Sequence, residues 1–173
     1  MHISVFDLFK IGIGPSSSHT VGPMHAARCF AMSLRETAFW GRVNVVRVEL
    51  FGSLGFTGRG HRSDLAVMLG LSGDEPRTVD LDKASERVER MTSSGALALL
   101  CQRVVSFKPA EAIIFHRRER LPLHSNGMRL SAYEGEALLF QRIYYSVGGG
   151  FVVDEQGAPI GEETSNAVSS VLY

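Results

Sequence analysis

Three consecutive serines, Ser16, Ser17 and Ser18, are followed by His19 and Thr20 immediately before a predicted helix. A helix start presents free backbone amides and the positive end of the helix dipole, and the hydroxyls add further hydrogen-bond donors. The run therefore fits a site for a small carboxylate or phosphate, or a set of helix caps, for which one hydroxyl would suffice. His19 could orient an anion, exchange a proton, or lie in solvent on the first turn.

A second candidate site follows a predicted strand, where a glycine-rich turn leads into His61 and, three residues later, Asp64. This spacing allows both side chains to lie on one helix face, where a carboxylate would fix the imidazole tautomer and raise its basicity. A surface histidine on a first turn is the alternative. The turn could also cradle a phosphate, but neither G-x-x-x-x-G-K-[ST] nor G-x-G-x-x-G is present, which counts against a nucleotide site.

A third candidate site is the run His124-Ser125-Asn126-Gly127-Met128. Its Asn-Gly pair predicts a tight turn before a strand, and that turn does not require the histidine. His124 could therefore relay a proton, and Asn126 could hold the carboxylate or the amine of a ligand.

The elements that must position these residues are predicted as helices first and strands later. Helical spacing of apolar residues predicts helices over about 19–38 and 61–71, and one or two more within 82–101. Residues 44–51 alternate as a half-buried strand, and glycines 52, 55, 58 and 60 predict a flexible connection after it. Later strands are predicted at 104–107, 112–115, 128–133 and 138–147. This order indicates a single α+β domain over residues 1–155, largely antiparallel in its sheet, and a linker over 156–173.

Composition excludes several classes of protein. Lysine plus arginine equals aspartate plus glutamate, 18 against 18, so no net field selects nucleic acid or an anionic membrane. The longest apolar stretch, Ala96 to Cys101, is too short to span a bilayer, and the start of the chain lacks a signal-peptide layout, which predicts the cytoplasm. Cys29 and Cys101 are predicted to be buried thiols, and two thiolates are too few for an iron–sulfur cluster, which takes about four.

Long motifs give the sequence a family resemblance. The run Gly14 to Met24, G-P-S-S-S-H-T-x-G-P-M, resembles the signature of bacterial iron–sulfur L-serine dehydratases, near the start of their beta domain. Thr57 to Asp64 resembles that family's T-G-x-G-H-G-T-D, with Arg62 in place of its last glycine and Ser63 in place of its last threonine. The H-S-N-G-M run and the segment Tyr144 to Phe151, Y-Y-S-V-G-G-G-F, are similar to family segments too. We expect the three glycines of the latter to form a bulge or a close backbone approach.

The resemblance implies a lyase that converts L-serine to pyruvate and ammonia. It implies that His61 removes the α-proton, with Asp64 beside it, and that His124 and Asn126 line the active site. Ser16 to Thr20 would bind the substrate. The resemblance also implies a [4Fe–4S] cluster as the Lewis acid, held by a separate alpha domain and not by this chain. No lysine lies in a recognisable pyridoxal-phosphate motif.

The partners follow from the same resemblance. They are the alpha domain of the same enzyme and L-serine, with no nucleic acid and no membrane, and members of the family often dimerise. Without the alpha domain this chain is expected to be inactive. The alternative function is a non-catalytic serine sensor, because the beta domain is similar to the allosteric substrate-binding domain of some phosphoglycerate dehydrogenases. A sensor would have no need of a base such as His61.

Overall fold

The computed structural model describes residues 17–160, apart from the side chain of Leu81. Ser16 and most of the predicted linker lie outside the described residues. Five helices and seven strands occur in residues 17–160. The helices are α1 (Val21–Arg35), α2 (Gly52–Thr57), α3 (Ser63–Leu71), α4 (Leu81–Ser94) and α5 (Pro109–Ala112). The strands are β1 (Val45–Phe51), β2 (Ala96–Leu99), β3 (Arg103–Ser106), β4 (Ile113–Phe115), β5 (Asn126–Glu134), β6 (Ala137–Gly148) and β7 (Phe151–Asp154).

The strands form one sheet in the order β2-β3-β1-β5-β6-β7, with β4 beside β1. Strand β1 runs parallel to β3 and β4, and every other pairing is antiparallel. In β1 the buried residues Val46, Val48 and Leu50 alternate with more exposed ones, as expected for a strand with one face in the core. The predicted α+β class with a largely antiparallel sheet is confirmed.

Helices α1 and α3 supply the main apolar surface that packs with the sheet into one core. Met24, Phe30 and Leu34 of α1 are fully buried, as are Val67 and Leu69 of α3. The two helices approach closely, since a Cβ on Gly70 would lie 2.2 Å from the backbone oxygen of Met24. This packing places the start of α1 beside the last turn of α3, and at the start of α3 the Ser63 hydroxyl donates to the backbone oxygen of His19, two residues before α1.

The predicted flexible connection after β1 is wrong, because residues 52–57 form helix α2. Gly52 has a φ of +58°, a left-handed conformation that glycine adopts readily. A Cβ there would also lie 2.1 Å from the backbone oxygen of Ser125. The glycines in this segment therefore serve a sharp strand-to-helix turn and close packing rather than mobility.

Two further predictions of local structure are wrong. The helix predicted to extend to residue 101 ends at Ser94, with Gly95 in a left-handed conformation, and Ala96–Leu99 pairs with β3 as an edge strand. Asn126 and Gly127 do not form a hairpin turn, because they begin β5, where Gly127 pairs with both Phe51 and Tyr145. Tertiary pairing has overridden local preference at both places.

Other predicted details can also be compared with the structure. The folded part continues past residue 155, because the backbone N–H of Ile160 donates to the Val152 oxygen over 3.0 Å. The glycine run 148–150 accompanies a register shift between β6 and β7, as expected for a bulge. Both cysteines are free thiols, but the prediction that both are buried is wrong, because Cys101 is exposed.

Candidate functional site

His19 lies at the start of α1 in a pocket of hydroxyl groups, with only 7% of its surface exposed. Its Nε2 lies 2.9 Å from Thr57 Oγ1 and 3.2 Å from Ser53 Oγ, both on α2. Its Nδ1 lies 2.9 Å from Ser18 Oγ. The sharp turn at the end of β1 thus places α2 next to His19. Both ring nitrogens of His19 contact protein hydroxyls.

His61 lies next to His19, with 4.8 Å between the ring centroids and the rings tilted by 53°. It occupies the turn before α3, in which Arg62 takes a left-handed φ of 58°. The hydroxyl of Ser63, the first residue of α3, donates to the His19 backbone oxygen over 2.5 Å and ties the two segments together. Burial lowers the pKa of His19, and the neighbouring His61 lowers it further. Both effects favour the neutral form of His19.

No hydrogen bond joins Asp64 to His61 in the described part of the chain. Burial raises the pKa of Asp64, and this effect is opposed by hydrogen bonds from the backbone amides of Leu65 and Asp64 itself. The carboxylate is thus held at the start of α3, where backbone amides are available to an acid. Its Oδ1 is buried without a hydrogen-bond partner among residues 17–160.

The His124 segment reaches the same end of the sheet through β5. The backbone N–H of Ser53 donates to the Ser125 oxygen over 2.8 Å, so α2 contacts this segment directly. His124 Nδ1 accepts a hydrogen bond of 3.0 Å from the backbone N–H of Asn126. The side-chain amide of Asn126 donates in turn to the Ser146 oxygen over 3.2 Å.

Ser146 connects the first turn of α1 to the His124 segment. It packs against Gly22 in α1, and its backbone oxygen accepts from the Asn126 side chain. A Cβ on Gly22 would lie 1.9 Å from Ser146 Oγ, so only glycine allows this approach. Ser146 Oγ and Asn126 Oδ1 are both buried without a hydrogen-bond partner in the described residues. Buried polar atoms of this kind are costly unless a water or ligand satisfies them.

The start of α1 differs from an ordinary capped helix. Thr20 occupies the N-cap position and is fully buried, but its side chain makes no capping hydrogen bond. The backbone N–H of Gly22 donates to the Ser17 oxygen over 2.9 Å. The first turn contains no acidic residue. The positive end of the α1 dipole is thus not offset by a local carboxylate, which favours a negatively charged ligand group.

The structure brings Ser18 and His19 together with His61 and joins them through α2 to the segment of His124 and Asn126. It adds three hydroxyl side chains that were not among the predicted site residues. Ser53 and Thr57 lay in a segment interpreted as flexible, and Ser146 lay in a segment interpreted as structural. The signal was present for the first two, because Ser53 and Thr57 are spaced i, i+4, as required for one face of a helix.

The described residues do not fit an iron–sulfur cluster. Among residues 17–160, no group of three or more His, Cys, Asp or Glu side chains could hold a metal ion. The two thiols also have separate partners, because Cys29 lies 3.7 Å from His25 Nε2 and Cys101 donates to the Ser72 oxygen over 3.3 Å. In the same part of the chain, no helix is long and apolar enough to cross a bilayer.

Fold and site together define an α+β domain in which three motif-bearing segments meet at histidine and hydroxyl side chains. The family profile of the serine dehydratase beta chain matches residues 4–157. The chain therefore belongs to the serine dehydratase beta chain family.

Similar proteins agree with that assignment. The L-serine dehydratase of Streptomyces coelicolor is 58% identical over 156 residues, which cover 90% of this chain and 34% of that protein. L-serine dehydratase 1 of Escherichia coli is 45% identical over 168 residues, covering 96% and 36%. The L-serine dehydratase of Helicobacter pylori is 38% identical over 172 residues, covering 98% and 37%. The chain thus spans about a third of the length of these relatives.

Proposed function

We propose that this chain is the substrate-binding and proton-transfer part of an L-serine dehydratase, which converts L-serine to pyruvate and ammonia. The observation that carries the proposal is the 4.8 Å contact between His61 and His19, at the point where the three motif segments meet. Family membership and the names of the relatives supply the substrate and the reaction. The geometry supports the roles proposed below for individual residues.

In this proposal His61 is the base. Loss of water from L-serine breaks the Cα–H bond, places its electron pair in a new Cα=Cβ bond, and releases the β-hydroxide. The resulting aminoacrylate then hydrolyses to pyruvate and ammonia. An imidazole titrates near neutrality and suits removal of the α-proton. Because His19 favours the neutral form, the pair would carry a single positive charge after His61 takes the proton.

Asn126 and Ser146 are proposed to bind the substrate's ammonium group. One N–H of the Asn126 side-chain amide donates to the Ser146 backbone oxygen, while the acceptor Oδ1 is buried without a hydrogen-bond partner among residues 17–160. A carbonyl-type oxygen accepts hydrogen bonds and therefore suits an ammonium rather than a carboxylate. The carboxylate is proposed to lie at the start of α1, near Thr20, where the helix dipole favours negative charge.

His124 and Asp64 have supporting roles in this proposal. His124 uses Nδ1 to accept from the Asn126 backbone, so its Nε2 is the atom left to exchange a proton with the substrate. Asp64 stands at the start of α3, the helix that His61 precedes, and would stabilise the imidazolium through space rather than through a direct hydrogen bond.

The leaving hydroxide needs an electrophile that the described residues do not supply. The family resemblance assigns this chemistry to a [4Fe–4S] cluster. We propose that the cluster is held by the portion of the enzyme that this chain does not span, the alpha domain. That portion would close over the same end of the sheet, and this chain alone would then be inactive.

The test is His61→Ala in a complete L-serine dehydratase that contains this chain. Loss of a general base lowers kcat by about 10²–10⁴-fold, while serine binding measured by calorimetry is retained. His25→Gln is the matched control, because His25 lies on α1 and contacts Cys29 and Ile160 rather than the proposed pocket. Unreduced turnover in His61→Ala would overturn the assignment of the base.

A serine sensor is the second candidate, since the hydroxyl, histidine and amide groups that converge here could bind serine without reacting with it. A sensor and a catalytic domain both bind serine, so binding alone does not separate them. Asn126→Asp and His61→Ala do. If the domain is a sensor, Asn126→Asp weakens serine binding, and His61→Ala leaves turnover of the complete protein unchanged. If the domain is catalytic, His61→Ala strongly lowers turnover even at saturating serine.

A further inference from the structure

The hydrogen bonds around His19 determine which of its ring nitrogens carries the proton. Nε2 faces Thr57 Oγ1 at 2.9 Å, and Nδ1 faces Ser18 Oγ at 2.9 Å. A hydroxyl can donate or accept, so these two distances alone leave both neutral tautomers open. The further bond made by Thr57 favours one of the two tautomers.

Thr57 Oγ1 donates its single hydrogen to the Ser53 backbone oxygen over 2.8 Å. This is the i to i−4 bond that threonine commonly forms within a helix. With that hydrogen committed, Oγ1 offers only lone pairs to His19. An unprotonated Nε2 would then face an oxygen lone pair at 2.9 Å, which is repulsive. A protonated Nε2 forms a normal hydrogen bond at the same distance.

Two more groups at α2 agree with a protonated Nε2. Ser53 Oγ lies 3.2 Å from the same nitrogen, at a longer distance than Thr57 Oγ1, and its hydroxyl can turn to accept a second bond from a protonated Nε2. The backbone carbonyl of Ser53 also acts on the ring as an acceptor, in the direction that raises the pKa of His19, although burial and His61 outweigh it. The end of the ring that faces α2 is therefore surrounded by acceptors.

We propose that Thr57 is a positioning residue that holds His19 as the neutral Nε2–H tautomer, with Nδ1 accepting from the Ser18 hydroxyl. His19 then acts on the reaction through His61 and Ser18 rather than as a group that binds substrate. This revises the expected substrate-binding role of His19. The Ser18 proton points to Nδ1, so it is not available to the substrate carboxylate.

The role of the tautomer rests on the proposed function, because it matters to catalysis only if His61 is the base. A neutral His19 next to His61 avoids a like charge 4.8 Å away when the base takes up its proton. The tautomer itself does not depend on that function. It can be measured without substrate and without turnover.

The test uses the 173-residue chain labelled with ¹⁵N at histidine. Long-range ¹H–¹⁵N correlation spectra at neutral pH distinguish a protonated from an unprotonated ring nitrogen. In the wild type we expect His19 Nε2 to be protonated and Nδ1 unprotonated. In Thr57→Val, which keeps the shape but removes the acceptor, we expect averaged shifts from mixed tautomers. Thr57→Ser keeps the hydroxyl and should restore the wild-type pattern.

The matched control is Thr92→Val on α4. Thr92 makes the same i to i−4 bond, to the Val88 oxygen over 2.8 Å, without contacting a histidine. It should leave the His19 spectrum unchanged. A wild-type His19 with its proton on Nδ1 would overturn the proposal, as would an unchanged His19 spectrum in Thr57→Val. If Thr57→Val fails to fold, the wild-type spectrum alone decides.

Discussion

Burial shifts the pKa values of two titratable side chains near His61, His19 in space and Asp64 in sequence. His19 and Asp64 are both moved by burial toward their neutral forms, in opposite pKa directions. A site that moves a single proton benefits when its neighbours do not compete for that proton. Each shift also makes folding stability depend on pH, with a sign that can be tested.

The shift of His19 predicts loss of stability in mild acid. Its pKa in the folded chain lies below the ordinary value of 6.5, so the unfolded chain takes up the proton first as the pH falls. The free energy of unfolding should therefore decrease as the pH drops through about 6.5, and this decrease should be absent in His19→Gln. Urea unfolding of both proteins at several pH values between about 5 and 8 measures the difference. Parallel curves would contradict the prediction.

The shift of Asp64 predicts the opposite dependence. Its folded pKa lies above the ordinary 3.8, so the unfolded chain loses the proton first as the pH rises. Asp64→Asn, which is neutral throughout, should gain stability relative to the wild type as the pH increases from about 4 to 7. Asp80→Asn is the control, because Asp80 is half exposed and its side chain caps α4 through the amides of Asp82 and Lys83. An equal gain in both variants would argue against a specific effect at Asp64.

At the scale of elements, the site depends on how closely α1 approaches β6. Gly22 of α1 contacts Ser146 of β6, and the Ser146 backbone oxygen accepts a hydrogen bond from the Asn126 side chain. This contact keeps the serine run next to the His124 segment. Gly22→Ala should destabilise the domain by about 1–3 kcal/mol, a typical cost of overpacking.

The matching change on β6 tests whether that cost comes from this contact. Ser146→Gly removes the side chain that the new methyl group would meet, so the double variant should regain part of the stability lost in Gly22→Ala. Thermal unfolding of the four proteins measures the coupling. Strictly additive losses would mean that the two elements do not touch in solution as they do in this structure.

The elements also show how far the sequence predicts the fold. Helix α1 and strand β1 follow from the spacing of their apolar residues, because each has one face in the core. The short helix α2 does not, because glycines at 52 and 55 are poor helix formers and are required there by contacts with Ser125 and His116. The edge strand at Ala96–Leu99 has weak strand preference and forms through pairing with β3. Such contacts between distant segments leave no local pattern.

The candidate site was likewise predictable in its residues but not in their arrangement. The serine run, His61 and the His124 segment could be found from residue types and motifs. Their convergence could not, because it is produced by the turn at Gly52 and by the approach of α1 to β6. The contacts that Ser53, Thr57 and Ser146 make also depend on that convergence, although Thr57 and Ser146 already lie within family-like motifs.

At the scale of the whole molecule, we propose that this domain supplies binding and proton-transfer groups, while residues 17–160 contain no group of three or more His, Cys, Asp or Glu side chains that could hold a metal ion. Cys29 lies on α1, and Cys101 is exposed beyond the edge strand β2, where its thiol contacts Ser72. A cluster normally takes about four thiolates. Because the chain spans about a third of its relatives, the remaining length offers ample room for the proposed cluster-holding part.

This division predicts that the 173-residue chain does not assemble a cluster. After anaerobic incubation with iron and sulfide followed by desalting, the chain should retain no visible iron–sulfur absorbance and no stoichiometric iron. The complete L-serine dehydratase that contains it, treated in parallel, should retain both. Cys29→Ser together with Cys101→Ser is the control, and it should behave like the unchanged chain in isolation and leave the cluster content of the complete enzyme intact. A stable cluster on the unchanged chain that disappears in this double variant would place a metal ligand in this domain and overturn the proposed division of labour.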